Sequence, residues 1–248
     1  MKDQQDTMLD RWIPKRAMFI TAHPDDVDYS TAGTAAKWVS AGCEVIYLVL
    51  TDGSAGSHQE GMTREKVAQL RRAEQEAAAE VVGATCIFLG HADGLLQPTL
   101  ELRKEVVRLI RQHRPQAVVT ADPRTYFVGD TYINHPDHRA AAQIAVEAVF
   151  PAAEMDLLYP DLLEQGLTGH KVNYVYVYTR DDPNCYVDVS DVIDLKIEAL
   201  RQHRSQLGDR DPDRYIRQRQ GEIGKEVGCE YAEPFRRMTL KPIHGEGQ

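Results

Sequence analysis

The stretch Ala17-Met18-Phe19-Ile20-Thr21-Ala22-His23-Pro24-Asp25-Asp26 decides how the chain is read. Residues 17–20 are an apolar run, residues 21–26 a polar turn, and Thr31 to Ala41 a helix-like segment. Strand, turn and helix in that order form the first half of a βαβ unit. In open parallel sheets, ligands bind beyond the carboxyl ends of the strands, where residues 23–26 fall. An imidazole and two carboxylates at such a place suit metal binding and proton handling. The partner segment is expected at His135-Pro136-Asp137-His138.

The same alternation continues outward. Glu44 to Leu50 is nearly all apolar, the mark of a strand covered on both faces, and it ends in Thr51-Asp52-Gly53-Ser54. Thr63 to Val82 reads as a helix stopped by Gly83, and Thr85 to Leu89 as a third strand. Leu102, Val106, Leu109 and Ile110 give 100–113 an amphipathic helical period; Ala117 to Thr120 is a fourth strand. The expected fold is therefore α/β: a Rossmann-like, doubly wound, mainly parallel sheet with helices on both faces, in a single domain. Arg139 to Val149 is a further helix, with Pro136 suited to its start, and 155–169 an irregular insertion. Strands are expected at 171–179 and 186–189, and helices at 192–206 and 213–227. Residues 1–16 are expected to be a loosely ordered arm, 17–240 the domain, and 241–248 a tail.

Composition narrows the function. The 248 residues are 42% hydrophobic and 27% charged, as in ordinary globular proteins, and the net charge of −9 argues against a nucleic-acid partner. No apolar run approaches the ~18 residues of a membrane span. Met1 to Asp10 is polar and holds no signal-like core, so the cytoplasm is the expected compartment. Cys43, Cys86, Cys185 and Cys229 are scattered, without CxxC spacing, and are expected as reduced thiols.

His23 and Asp26 are three apart, so a tight turn can aim both at one ion, leaving Asp25 as a candidate base. His135 and His138 share the same spacing, and at a helix start both rings lie on one face; either could ligate while the other stands near the substrate. Zinc takes such nitrogen and oxygen donors, and catalytic sites usually combine three protein ligands with water. The competing readings are structural: His135 or Asp25 as a helix cap, and Arg71 and Arg72 as helix-face ion-pair partners. Asp52 and Asp122 are candidates for orienting the ligands.

Taken together, Ala22-His23-Pro24-Asp25-Asp26, Thr51-Asp52-Gly53-Ser54 and His135-Pro136-Asp137-His138 resemble the PIG-L (LmbE-like) family of zinc N-deacetylases. The resemblance extends through Arg71-Arg72-Ala73-Glu74, Gly94, His203-Arg204-Ser205-Gln206 and Glu233-Pro234-Phe235, and so over most of 17–237. It implies one Zn2+ per chain held by His23, Asp26 and His138, with Asp25 as general base. It implies that protonated His135 holds the oxyanion or serves the leaving amine, with Asp137 orienting it, and that Arg71 and Asp93 hold the sugar. Ile133 stands where some members carry a tyrosine; Tyr132 is adjacent and is given no role. The implied reaction removes acetyl from an N-acetylglucosamine-type substrate.

Three rivals are weighed. The first is hydrolysis of another bond, a phosphoester or a different amide; two-metal sites of the phosphoester kind usually need more carboxylates than these motifs offer. A nucleotide-binding module would want glycines after the first strand, where two aspartates would repel a pyrophosphate. A non-catalytic ligand-binding protein on the same fold is disfavoured by the full set of ligands and base. The expected partner is thus a small acetamido sugar or its conjugate, with no nucleic acid and no membrane. Self-association into a homo-oligomer is left open.

Overall fold

Four strands alternate with helices to build the first half of a central sheet: β1 (Arg16–Thr21), β2 (Glu44–Thr51), β3 (Thr85–His91) and β4 (Ala117–Ala121). The structure, a computed structural model, describes residues 8–240; residues 1–7 of the expected arm and the expected tail, 241–248, lie outside them. A small antiparallel ribbon, β5 (Phe127–Val128) with β6 (Tyr132–Ile133), follows β4. β7 (Tyr174–Tyr178), β8 (Cys185–Asp188) and β9 (Ala232–Thr239) complete the set. The seven-stranded order is β3-β2-β1-β4-β7-β9-β8, parallel from β3 through β7, with β9 antiparallel to both β7 and β8. The doubly wound sheet expected from the sequence is present as one domain. The strand order reverses direction between β1 and β4, which opens a crevice at their carboxyl ends.

The buried strands show a period of two on both faces. Ala17, Phe19, Val45, Tyr47, Tyr174 and Tyr176 pack with the helices Ala32–Ser40, Arg64–Val82 and Ile193–Arg201. Met18, Ile20, Ile46, Leu48, Val175 and Val177 pack with Leu100–His113 and Pro136–Glu147. The Val, Ile, Leu, Met and Phe side chains among them each contribute roughly 1.5–3 kcal/mol by leaving water. All four cysteines are free thiols, as expected. No helix among the described residues is long and apolar enough to cross a membrane.

Two regions differ from the sequence reading. Residues 8–15 are docked rather than loose: the Asp10 N–H donates to Tyr186 O at 2.7 Å, and the Trp12 ring meets Tyr174 edge-on at 4.6 Å. The insertion at 155–169 holds two short helices, Asp156–Leu158 and Pro160–Glu164, and is anchored by buried Arg111, which donates to the carbonyls of Ala152, Ala153, Met155 and Leu167.

One buried ion pair ties the end of the chain to its beginning. Glu233 on β9 accepts from Lys196 Nζ at 2.8 Å, and both side chains are fully buried. Its oxygens also accept from the Gly33 and Thr34 amides at 3.0 and 2.7 Å, at the positive end of Ala32–Ser40. Gly33 permits this approach, since a Cβ there would lie 2.8 Å from Glu233 Oε1. Glu233→Ala would leave the Lys196 ammonium buried and unpaired, with an expected cost of about 3–5 kcal/mol in urea denaturation. Adding Lys196→Met should recover a large part of that loss.

Candidate active site

The turn after β1 is closed by one carboxylate. Asp26 Oδ2 accepts the N–H groups of Ala22 and His23 at 3.1 and 2.9 Å. The chain then enters the short helix Asp26–Ser30 through Asp25, which stands at φ 105° and makes no side-chain cap bond. The Asp25 carboxylate instead meets Arg71 Nη2 at 3.2 Å.

The second segment enters from the other side of the crevice. His135 is the N-cap of Pro136–Glu147, and its Nδ1 accepts the Asp137 N–H at 3.2 Å. One turn on, His138 Nε2 lies 3.0 Å from Asp26 Oδ1. His138 Nδ1 lies 3.1 Å from Asn134 Oδ1, and Asn134 is itself oriented by donating to Thr125 O at 2.8 Å. An amide oxygen at Nδ1 places the ring proton there and leaves a lone pair on Nε2. His23 is arranged in the opposite sense. Its Nε2 lies 3.0 Å from Asp93 Oδ1 and 3.3 Å from Asp137 Oδ2, while Nδ1 faces Asp26 Oδ2 at 3.7 Å.

Two triads of donor atoms lie within 4.8 Å of one another, His23–Asp26–His138 and His23–His135–Asp137. The first matches the expected ligand set, and both of its imidazoles have the far nitrogen engaged by an oxygen, leaving the near one for an ion. That is the usual arrangement around a metal-bound histidine. Two nitrogens and a carboxylate oxygen form a donor set that fits zinc.

Charge in the crevice is strongly coupled. Burial opposes a charge on His23, but the carboxylates of Asp137, Asp26 and Asp93 outweigh it and raise its pKa to about 12. Burial also works against the Asp26 charge, yet His138 and His23 hold that carboxyl well below its ordinary range. Burial pushes Asp25 up to about 6, against the pull of Arg71. Burial and the neighbouring His23 charge both lower His135.

Several expected residues take different parts. The Asp137 N–H donates to His135 Nδ1, while its carboxylate faces His23 and accepts the Gly94 and Leu96 N–H groups at 2.7 and 3.3 Å. His135 Nδ1 accepts the Asp137 N–H, which leaves Nε2 to carry a ring proton toward the crevice, and burial with the neighbouring His23 charge works against an imidazolium there. Asp93 faces His23, and Arg71 donates to Gly53 O and Pro24 O at 3.0 and 2.6 Å. Both nonetheless line the cavity. Gly56 lets the loop close on Arg71, because a Cβ there would lie 2.5 Å from Nη1. Asp52 accepts the Ser54 and Asp93 amides and Asp122 pairs with Arg124, and the carboxylates that meet His23 Nε2 are those of Asp93 and Asp137.

Two functional neighbours escape the sequence reading: Asn134, immediately before the second motif, and Gln75, whose Oε1 accepts the Asp25 N–H at 2.8 Å. A signal for Gln75 exists, since with Val67, Arg71, Ala78 and Val82 it falls on the buried stripe of its helix. The crevice opens into a cavity of about 700 Å³, walled by Tyr29, Tyr132, Tyr178 and Tyr215. Tyr132 thus reaches the cavity, whereas Ile133 is exposed.

The PIG-L family, described as GlcNAc-PI de-N-acetylase, matches residues 18–149. The diacetylchitobiose deacetylase of Thermococcus kodakarensis is 36% identical over 228 residues, covering 90% of this chain and 82% of that protein. The 1D-myo-inositol 2-acetamido-2-deoxy-alpha-D-glucopyranoside deacetylase of Mycobacterium sp. (strain KMS) is 27% identical over 246 residues, covering 81% and 76%. The solved structure of N,N'-diacetylchitobiose deacetylase from Pyrococcus horikoshii superposes with a TM-score of 0.84 at 30% identity, covering 93% of this chain and 88% of that one. Motifs, sheet and relatives agree, and the chain belongs to the PIG-L family.

Proposed function

We propose that this protein is a metal-dependent N-deacetylase that hydrolyses the acetamide of an N-acetylglucosamine-type sugar or its conjugate, giving acetate and a free amine. The observation that carries the reading is the pairing of a compact His23–Asp26–His138 donor set with an adjacent carboxylate, Asp25, that stands outside it. Membership of a family whose relatives are named as acetamido-sugar deacetylases supports the substrate class.

His23, Asp26 and His138 would hold the ion, expected to be zinc at one per chain. When bound there, it supplies Lewis acidity, polarising a carbonyl and making water acidic enough to react near neutral pH. Asp25 accepts the proton of the attacking water, and Arg71 keeps its carboxylate in place. His135, whose Nδ1 accepts the Asp137 N–H, presents Nε2–H to the oxygen on which charge develops, and the proton that Asp25 took from the water passes to the departing nitrogen. Asp93 and Asp137 hold the His23 Nε2–H, and Asn134 the His138 Nδ1–H. Arg71 and Asp93 also border the space for the sugar. A cytoplasmic location remains part of this reading.

Purified protein should carry close to one divalent ion per chain by elemental analysis and release amine from a panel of acetamido sugars. Asp25→Ala should keep the metal and lose about 10²–10⁴-fold in turnover. Near-normal amine release by that variant would remove the assigned base. Asn134→Ala, which frees the His138 ring, should weaken metal binding by ~10–100-fold in chelator competition; unchanged affinity would show that the ring needs no such partner.

A further inference from the structure

Asp25 is held in a backbone conformation that a residue with a Cβ seldom adopts, at φ 105°. Such a position is unfavourable for a residue with a Cβ and persists only where the surroundings over-determine it. What surrounds it is a buried chain of three side chains. The Asp25 N–H donates to Gln75 Oε1 at 2.8 Å; Gln75 Nε2 donates to Asp28 Oδ2 at 2.9 Å; and His203 Nε2 meets the same Oδ2 at 2.8 Å. Gln75, Asp28 and His203 are each fully buried.

The chain has a direction. A carboxamide can rotate by half a turn and present NH2 where its oxygen stood, which would set a donor against the Asp25 N–H. The Asp28 carboxylate accepts from Nε2 and so locks the oxygen toward Asp25. His203, in turn, fixes Asp28 from the loop before Arg204–Leu207. Gln75 lies one helical turn beyond Arg71, so one helix holds Asp25 twice: by its carboxylate through Arg71 and by its backbone through Gln75.

We infer that Gln75, locked by Asp28 and His203, is a positioning residue that keeps the Asp25 backbone left-handed and thereby aims its carboxylate into the cavity. This rests on the reading of Asp25 as the base. A reacting group displaced by about 1 Å typically loses about 10²-fold in rate. The loss should fall on kcat, because Gln75 lies outside both the donor set and the cavity lining.

The test compares Gln75→Met, which fills the space without an acceptor, with Gln75→Glu, which keeps an oxygen for the Asp25 N–H and, held protonated beside the buried Asp28 carboxylate, an O–H for Asp28 Oδ2. Amine release from an acetamido sugar is measured per folded chain, with kcat, KM and bound metal determined separately. Gln75→Met is expected to lose about 10²-fold in kcat at unchanged KM and metal content, and Gln75→Glu to return to within about tenfold of the parent. Unchanged kcat in Gln75→Met overturns the inference. So does a loss that follows KM or metal content, or a Gln75→Glu variant as slow as Gln75→Met. If Gln75→Met does not fold, Gln75→Asn takes its place, its amide one methylene short of Asp25, with the same two outcomes. An active Asp25→Ala would overturn the base itself, whereas an inactive Asp25→Ala beside a fully active Gln75→Met overturns only the positioning role.

Discussion

The arrangement depends on the Asp26 carboxylate. One oxygen accepts two amides at the end of β1, and the other faces His138 across the crevice. The first interaction makes the turn, fixing His23 on one side and Asp25 on the other. The second joins that turn to Pro136–Glu147, a segment more than a hundred residues later. Without it, the two motifs would share a sheet edge but no centre. A carboxylate can do both because its two oxygens accept in different directions.

The support for this turn is polar where a core is usually apolar. Glu233, Lys196, Asp28, Gln75 and His203 are all fully buried between the sheet and the helices on one side. Burying such groups is unfavourable unless each finds a partner. Here the partners sit on different stretches of chain: β9 with the start of Ala32–Ser40, and the loop before Arg204–Leu207 with the segment after β1. Apolar packing alone would tolerate small slips between these elements. A hydrogen bond near 2.8 Å does not, so the polar layer fixes the register that the site requires.

Which parts could be read from the chain follows from how each is encoded. The first four strands are short apolar runs and the helices between them keep a 3.6-residue period, so local pattern suffices. β9 is different: Ala232-Glu233-Pro234-Phe235-Arg236-Arg237-Met238-Thr239 carries a proline and two arginines and is recognisable only by its antiparallel partners, β7 and β8. The two-residue strands of the ribbon carry no period at all. In the site, the same division holds. His23, Asp26, His135 and His138 sit in compact motifs, so spacing brings them forward. The partners of His23 depend on how the loops after β2 and β3 pack, and sequence reasoning favoured Asp52 and Asp122 where the fold supplies Asp93 and Asp137.

The charge balance of the crevice gives a further reason to expect a cation there. Asp25, Asp26, Asp93 and Asp137 converge on it, and Arg71 is the guanidinium that meets them, at 3.2 Å from Asp25 and 3.9 Å from Asp93. Ionised carboxylates so close together in a partly desolvated space repel one another, and one arginine at the edge offsets only part of that. Imidazoles can offset more if they take up protons, but a histidine that does so has surrendered the lone pair by which it would ligate. A divalent ion held by His23, Asp26 and His138, as proposed, would resolve the conflict by supplying positive charge while leaving both imidazoles neutral. On this argument the aspartates surrounding His23 do two things at once. They fix the ring by its outer N–H, and they create a deficit of positive charge that the proposed ion would meet.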